Sequence, residues 1–372
     1  MNTQSWIVRS ALVSLLAASV CLSGCRKNEA AASSTPANPA EEAAQTSAPA
    51  PIASGPSSAP VAALNPAAVA STAPAAPARV PKGPVPAEIW KEFSGARAYE
   101  EVQKQVDVGP RASGTPDIDK ARALIEQALK ANGWDVERQE FTAPTPRGAT
   151  KFVNIIGRYS LTGAAPAQKN TQQAIICSHY DTKRFSFIKF LGACDGGSST
   201  GSLIELSRVL ALDPALAAKV ELVFFDGEEA MVQFTPPGVA ENENDGLWGS
   251  RHYASDLLAS GRSNQFKFGI LWDMIGDRDF KITLPPDSPK GLAQDVFSAS
   301  EALGLRSNFH YFDRQILDDH VYLNSAHVPA IDFIDFDIKY WHTADDTIDK
   351  LTPESLQNVG AVTLYYLKKR LQ

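Results

Sequence analysis

The chain has 372 residues and a formal net charge of −7 at pH 7. This acidic balance leaves no basic footprint for nucleic acid, so we expect no nucleic-acid partner. Ala and Pro occupy 28 of the 50 positions from 31 to 80, and no aromatic residue occurs between Trp6 and Trp90. Such a stretch cannot bury enough apolar surface to offset its ordering entropy. The composition therefore predicts one folded unit of about 285 residues, not two domains of equal weight.

The first 24 residues have the pattern of an export signal. Arg9 ends a short polar region, and residues 11–22 form an apolar core that is too short for a stable membrane span. Leu22-Ser23-Gly24-Cys25 follows and resembles the lipobox of bacterial lipoproteins, in which Cys25 becomes the lipid-modified first residue. The alternative is an ordinary cleaved signal followed by an incidental Cys.

These features predict an exported lipoprotein at the periplasmic face of a membrane, attached through lipid at Cys25. Arg26 follows the Cys instead of Asp, which favours the outer membrane in a Gram-negative host. Residues 25–85 then form an Ala- and Pro-rich flexible tether, because their composition is that of an extended spacer. Residues 86–372 remain for a single folded domain.

The folded part begins with helices and continues with strands. We expect a first helix over 86–106 and a second that Asp117 caps and that ends at Asn132-Gly133. A last helix starts at Thr352-Pro353 and carries Lys368, Lys369 and Arg370 near its end. Short apolar segments, often β-branched or aromatic, predict strands over 134–141, 152–159, 174–178, 221–226, 268–272 and 329–334.

Helical stretches separate several of these strands, and runs such as 222–225 are apolar without alternation, as in strands that are covered on both faces. The pattern predicts an α/β fold, a three-layer sandwich with a central mixed, mostly parallel β-sheet and helices on both faces. In such folds the site lies at the carboxyl ends of the strands. Cys177 and Cys194 lie close to that edge, as two buried thiols by default or, alternatively, as a disulfide.

Acidic and histidine residues collect where the predicted strands end. Each of them alone is ordinary, since a single Asp after a strand usually caps a turn. Together, loops that follow successive strands of one sheet must converge in space. The residues concerned are His179, Asp181, Asp195, Asp226, Glu228, Glu229, Asp273 and His342.

Carboxylates and imidazoles crowded into one crevice would repel and shift their pKa values unless a metal ion neutralised them. Imidazole and carboxylate ligands without a usable set of Cys residues indicate zinc in an open, catalytic geometry. Glu228 and Glu229 are adjacent and leave their strand in different directions. One of the pair can bind metal while the other faces the open position as a general acid/base.

Seven motifs, in this order along the chain, resemble those of the animal-type glutaminyl cyclases (glutaminyl-peptide cyclotransferases), which share their fold with the zinc aminopeptidases. The resemblance spans about residues 90–372. The motifs are His179-Tyr180-Asp181-Thr182-Lys183, Gly192-Ala193-Cys194-Asp195, Phe224-Phe225-Asp226-Gly227-Glu228-Glu229-Ala230, Gly249-Ser250-Arg251-His252, Asp273-Met274-Ile275-Gly276, Asp318-Asp319-His320 and Trp341-His342-Thr343.

The resemblance implies that Asp195, Glu229 and His342 bind one Zn²⁺ and that residues 86–372 are a zinc-dependent catalytic domain. It implies that the substrates are the N-termini of peptides or proteins, and that an N-terminal glutamine is converted to pyroglutamate with release of ammonia. It makes Glu228 the acid/base.

In the family, two carboxylates near the site share a hydrogen bond that supports proton transfer, and an indole donates to the substrate carbonyl. The resemblance assigns these roles to Asp273 and Asp318 and to Trp341. We expect Asp181, Arg251 and His252 to make structural hydrogen bonds near the site.

This chain departs from the cyclase pattern at substrate-contact and network positions. Asp332 stands where the animal enzymes carry His. Phe234 is the best counterpart of a flexible Trp after the Glu-Glu pair, and Phe336 is the counterpart, shifted by one residue, of an aromatic wall before Trp341.

Two other functions remain open. A zinc aminopeptidase with one or two ions is one of them, because a two-zinc ligand set is present in His179, Asp195, Glu229, Asp273 and His342. His179, like Asp332, is then a second-metal or a structural residue. The other is a non-catalytic exported binding protein on the same fold. The Asp318-Asp319-His320 motif and Trp341 favour the cyclase. The oligomeric state stays open.

Overall fold

The computed structural model describes residues 83–161, 168–234 and 245–372. The predicted export signal, Cys25 and the predicted tether up to residue 82 lie outside these residues. Within the described part of the chain, no helix combines the length and the apolar character needed to cross a bilayer.

Eight strands form one mixed sheet in the order β1-β2-β4-β3-β5-β8-β6-β7. The inner strands β4, β3, β5 and β8 are mutually parallel, so their carboxyl ends share one edge. The strands are β1 Asp135–Thr145, β2 Gly148–Arg158, β3 Ala174–His179, β4 Val220–Phe225, β5 Phe268–Asp273, β6 Ile282–Leu284, β7 Phe309–Tyr311 and β8 Ala330–Ile334.

Helices cover both faces of the sheet. On one face, helices α1, α2, α3, α6 and α8 pack over a large core that includes Ile176 and Trp272; on the other, α5 and α7 cover a smaller core that includes Cys177 and Leu271. The helices are α1 Gly95–Val108, α2 Pro116–Ala131, α3 Ser199–Leu210, α4 Pro214–Ala217, α5 Trp248–Ala259, α6 Lys290–Ala302, α7 His320–Ser325 and α8 Pro353–Leu371. The predicted three-layer α/β sandwich is confirmed.

The expectation of one helix over 86–106 is wrong. A short 3₁₀ turn, Ile89–Glu92, comes first, and α1 starts afresh at Gly95. The break occurs because Ser94 caps the new helix by accepting a hydrogen bond from the Arg97 N–H, 3.3 Å away. Gly95 allows it to start against α8, since a Cβ there would lie 1.8 Å from the Pro353 carbonyl oxygen.

The other element predictions differ from the structure mainly at their ends. Helix α2 begins at Pro116 with Thr115 as N-cap, so Asp117 lies in the first turn and is not the cap as predicted. The three-residue strands β6 and β7 were not predicted, because they are too short to show a periodic pattern. At the last helix, Thr352 accepts from the Ser355 N–H, as a helix cap does. Cys177 and Cys194 are two buried free thiols, so there is no disulfide between them.

Candidate metal centre and catalytic site

The carboxyl edge of the parallel strands brings the predicted ligands together. His179 ends β3 and Asp273 ends β5, while Glu228 and Glu229 follow β4 by three and four residues. Asp195 lies in an irregular turn just before α3. Parallel neighbouring strands end at one edge, so these side chains meet although they are far apart in the sequence.

Asp195 lies between the two imidazoles and joins two groups of potential ligands. One carboxylate oxygen, Oδ1, is 3.2 Å from His179 Nε2, and the other, Oδ2, is 3.3 Å from His342 Nε2. His179 Nε2 is also 3.1 Å from Asp273 Oδ1, and His342 Nε2 is 3.1 Å from Glu229 Oε1. The result is two groups, each with one imidazole, that share the Asp195 carboxylate.

The charges in this cluster are strongly coupled. Burial alone would lower the pKa of His342, but the charge of Glu229, with Asp195, reverses this and raises it to about 10. Burial alone would raise the pKa of Asp195, but hydrogen bonds with His179 and His342 lower it below its usual range. Asp195 thus stays ionised between the two imidazoles and attracts positive charge, which a dication can supply in place of protons on the imidazoles.

The donor set fits zinc. Asp195 Oδ2 and Glu229 Oε2 are both buried; Oε2 accepts no hydrogen bond from the described residues, and the imidazole of His342 lies 3.3 Å from Oδ2, so both oxygens can turn a lone pair to a cation. Imidazole nitrogens with carboxylate oxygens suit Zn²⁺, and a site with three protein ligands keeps an open position for a substrate. Asp195, Glu229 and His342 form such a set, and His179, Asp195 and Asp273 form a second one.

The backbone is unusual at two points beside these ligands. Gly196 has φ +73°, and a Cβ there would lie 2.8 Å from His179 Cε1, so only glycine lets Asp195 approach the imidazole. His342 itself has φ +55°, a left-handed conformation that is uncommon for residues other than glycine. Strain of this kind clusters at functional sites, where the surrounding structure holds it.

Two buried aspartates hold the ligand loops by their backbone. The N–H groups of Glu228 and Glu229 donate to the two oxygens of Asp181, at 3.1 and 3.3 Å. Those of Cys194 and Asp195 donate to the two oxygens of Asp346, at 2.7 and 3.1 Å. The structural role expected of Asp181 is therefore seen, whereas Asp346 was missed, because nothing in its sequence context distinguishes it from the exposed Asp345.

Glu228 points into the same space as the ligands. Its Oε2 is 3.9 Å from His179 Nδ1, and the side chain lines the pocket together with Asp195 and Glu229. Burial raises the pKa of Glu228 well above the usual value, and the charge of Glu229 adds to the rise. A carboxyl group whose pKa is raised above its usual value can both hold and release a proton, which suits it to general acid/base work.

A second group of buried acids lies behind the ligands. It consists of Asp318, Asp319 and Asp332, with His320 beside them. Burial and the charge of Asp273 raise the pKa of Asp318 well above its usual range, and burial raises that of Asp319 to about 7. Neither Asp332 oxygen has a hydrogen-bond partner among the described residues, and Oδ2 lies 3.7 Å from His320 Nδ1.

The pocket above the ligands has apolar walls. Phe234, Phe336 and Trp341, the predicted substrate contacts, all line it, and Asp318 reaches it from the side. Phe312 and Ile316 line it as well and were missed, because they lie in an irregular segment. The Trp341 ring stacks on His342 with ring centroids 4.0 Å apart and also contacts Phe336 at 5.1 Å.

Three strand-end or motif residues have structural contacts instead. Asp226 pairs with Arg122 in the interior and accepts from the Val153 N–H at 2.8 Å, so its side chain is used in packing. Arg251 donates to the Gly246 carbonyl oxygen at 2.9 Å. His252 stacks on Phe141 at 4.0 Å, a ring contact in place of the hydrogen bond that was expected.

The sequence model of peptidase family M28 matches residues 154–367, which is more than half of the chain and includes every predicted metal ligand. The chain belongs to peptidase family M28. The match begins inside β2 and ends in α8, so it covers most of the sheet and the whole carboxyl edge.

Among the relatives of this M28 chain are several glutaminyl cyclases. It is 29% identical over 277 residues to the glutaminyl-peptide cyclotransferase of Drosophila melanogaster, covering 66% of this chain and 74% of that protein. The glutaminyl cyclase of an Acidobacteriales bacterium is similar in structure, with a TM-score of 0.67, 32% identity and coverage of 78% and 98%. The resemblance to glutaminyl cyclases is thereby confirmed.

A peptidase-like neighbour is also similar. A Zn-dependent exopeptidase from Parabacteroides distasonis matches with a TM-score of 0.65 and 25% identity, covering 75% of this chain and 99% of that one. Family and neighbours together indicate a zinc-dependent enzyme on the M28 fold.

Proposed function

We propose that this M28 enzyme is a glutaminyl-peptide cyclotransferase, which converts an N-terminal glutamine to pyroglutamate and releases ammonia. The observation that carries the proposal is the composition of one pocket. The ligand cluster, Glu228 and Asp318 all line it, and the indole of Trp341 forms part of its apolar wall. The similarity to the cyclases of Drosophila melanogaster and an Acidobacteriales bacterium supports the same reading.

Asp195, Glu229 and His342 would hold one Zn²⁺ in this enzyme. When bound, the ion would supply a Lewis acid for the side-chain amide oxygen of the substrate. Glu228 faces the same space, so its carboxylate can accept a proton from the α-amine as that nitrogen forms a bond to the amide carbon. The same carboxyl group then gives the proton to the departing amide nitrogen, which leaves as ammonia when the old C–N bond breaks.

The remaining residues orient the substrate and exclude water. Phe234, Phe336 and Trp341 form apolar walls around the first residue of the peptide. Ring closure is intramolecular, so holding the amine close to the amide carbon supplies much of the rate acceleration. Asp273 and Asp318 lie near Glu228, where we expect them to share a proton and support its transfer.

A zinc aminopeptidase is the second candidate. His179, Asp195 and Asp273 are all buried, and their ligand atoms lie within 4.8 Å of one another, so a second cation could bind beside the first. The similarity to the Zn-dependent exopeptidase of Parabacteroides distasonis favours the same alternative. The two candidates differ in substrate and in the number of zinc ions.

A Glu228→Gln variant tests the proposal. We expect it to abolish pyroglutamate formation from a Gln-initiated peptide while zinc stays near one per chain, because Glu228 is not a ligand of that ion. Glu301→Gln, at an exposed position of α6, is the matched control and should behave like the wild type. Release of free leucine from a Leu-initiated peptide, with two zinc ions bound, would instead identify a peptidase.

We further infer that the enzyme is displayed on a membrane through lipid at Cys25, with residues 26–85 as the spacer. The support comes from the Leu22-Ser23-Gly24-Cys25 motif and from the Ala- and Pro-rich composition that follows it. An enzyme that acts on the N-termini of exported chains would meet its substrates there.

A further inference from the structure

The segment between β3 and the turn that carries Asp195 forms one rim of the site. It follows His179 directly and has no regular secondary structure from residue 180 to 192. Three phenylalanines, Phe185, Phe187 and Phe190, lie within it, and we call them the aromatic rim. None of them belongs to the apolar walls of the pocket described above.

The aromatic rim is continuous with a zinc ligand. The rings of Phe185 and Phe190 each contact the His342 imidazole edge-on, with centroids 5.6 Å away. Phe185 in turn contacts Phe187 at 5.6 Å. An unbroken aromatic surface therefore leads from the ligand cluster outward.

At its outer end this surface is uncovered. Phe187 is 75% exposed, the largest exposed fraction of any large apolar side chain that the structure describes. A single exposed apolar residue is ordinary, but Phe187 is connected through Phe185 to His342, which lines the pocket, so its ring is placed to contact a peptide that extends out of the site. Arg184 and Lys189, both exposed, flank it, so the surface suits a neutral or acidic peptide.

An extended peptide is long enough to reach this surface. If the glutamine side chain reaches the zinc ligands, the third residue lies about 7 Å further along and points its side chain to the same side of the chain. The ring centroids of His342 and Phe185 are 5.6 Å apart, and so are those of Phe185 and Phe187, so Phe187 lies at most about 11 Å from His342, within reach of the third residue and its side chain. The second residue points to the opposite side.

We propose that Phe185 and Phe187 form a subsite for an aromatic side chain at the third residue of the peptide substrate. This inference rests on the proposed cyclotransferase function and adds the substrate preference of the same site. Contacts remote from the reacting atoms bind substrate and transition state alike, so the preference should appear in KM more than in kcat.

The test compares the tripeptide amides Gln-Ala-Ala, Gln-Phe-Ala and Gln-Ala-Phe as substrates of the full chain carrying Cys25→Ser. We expect kcat/KM for Gln-Ala-Phe to exceed that for Gln-Ala-Ala by about 5–10-fold, as partial burial of one aromatic side chain allows. Gln-Phe-Ala should gain less. In Phe187→Ala the ratio of Gln-Ala-Phe to Gln-Ala-Ala should fall towards one, and Phe187→Trp should restore it.

Leu258→Ala is the matched control, because Leu258 is a 50% exposed apolar residue on α5, outside the rim. It should keep the wild-type ratio. Equal kcat/KM for the three cyclised peptides would overturn the subsite and leave the cyclotransferase intact. If no Gln peptide is cyclised, the proposed function fails and the subsite with it. Equal kcat/KM values together with weaker binding of Phe187→Ala to phosphatidylglycerol vesicles would show that the rim contacts lipid instead.

Discussion

Two buried acidic regions lie side by side at the carboxyl edge of the sheet, and they are built differently. The ligand region contains Asp195, Glu229 and Asp273 with two imidazoles at 3.1–3.3 Å. The second region, around Asp318 and Asp332, contains one imidazole, that of His320, whose Nδ1 lies 3.7 Å from the nearest Asp332 oxygen.

The electrostatics of the two histidines show the difference. The charges of Glu229 and Asp195 outweigh burial and raise the pKa of His342 to about 10, whereas burial lowers that of His320 to about 3. Burial, with the charge of Asp318, raises the pKa of Asp332 well above its usual range. Asp195 in the ligand region therefore keeps its negative charge and attracts a cation, while burial in the second region favours the protonated form of Asp332.

The largest effect on zinc binding should come from replacing His342, compared with replacing His320. His342→Asn removes a predicted ligand but tolerates the left-handed backbone, since Asn adopts φ near +55° readily. We expect zinc affinity to fall more than ~100-fold, beyond the loss typical of a residue that only supports a ligand. His320→Asn should keep one zinc per chain. Metal analysis after dialysis measures both, and zinc loss from His320→Asn would erase the distinction between the regions.

A smaller loss of zinc affinity should follow when Asp346, which holds the backbone of the loop that carries Asp195, is replaced. Asp346→Asn places an amide NH₂ against the N–H groups of Cys194 and Asp195, so the loop that carries Asp195 shifts. We expect zinc affinity, measured by competition with a chelator, to fall about 10–100-fold. Asp345→Asn makes the same carboxylate-to-amide change at the exposed neighbouring residue and serves as the control. Equal affinities of the two variants would remove Asp346 from the ligand support.

The mildest effect should be a change in how stability depends on pH. The folded state raises the pKa of Asp332, so the stabilising proton is fully bound below the usual carboxyl pKa near 3.9 and is lost as pH rises through the higher folded value. Asp332→Asn has no proton to lose there, so it avoids the free-energy cost of ionising a buried carboxyl group. Its Tm, measured with saturating zinc, should therefore rise relative to the wild type as the pH increases above about 4.

The exposed Asp345→Asn should show no such trend. A wild-type Tm that follows the same pH profile as that of Asp332→Asn would mean that Asp332 is not protonated in the folded protein. The second region would then carry a buried negative charge, as the ligand region does.

Local pattern was enough for much of the fold. Apolar runs and their spacing predicted the six main strands, the sandwich and the last helix with its Thr352 cap. Prediction failed where a long-range contact decided a boundary, as at Gly95, whose helix start is shaped by the Pro353 carbonyl. It also failed for β6 and β7, which exist only because β8 and one another offer hydrogen bonds.

The sequence by itself determined which side chains could meet. Parallel strands must end at one edge of the sheet, and the residues that follow each strand can be identified from the sequence. It also carried the motifs by which the M28 family is recognised. Tertiary structure alone decided which acids lie against imidazoles and which are buried without them. Asp195 and Asp332 are both buried carboxylates, but only folding places two imidazoles beside one and leaves the other without a hydrogen bond from any described residue. Charge balance in a buried site depends on neighbours a few ångströms away, and those neighbours come from distant parts of the chain.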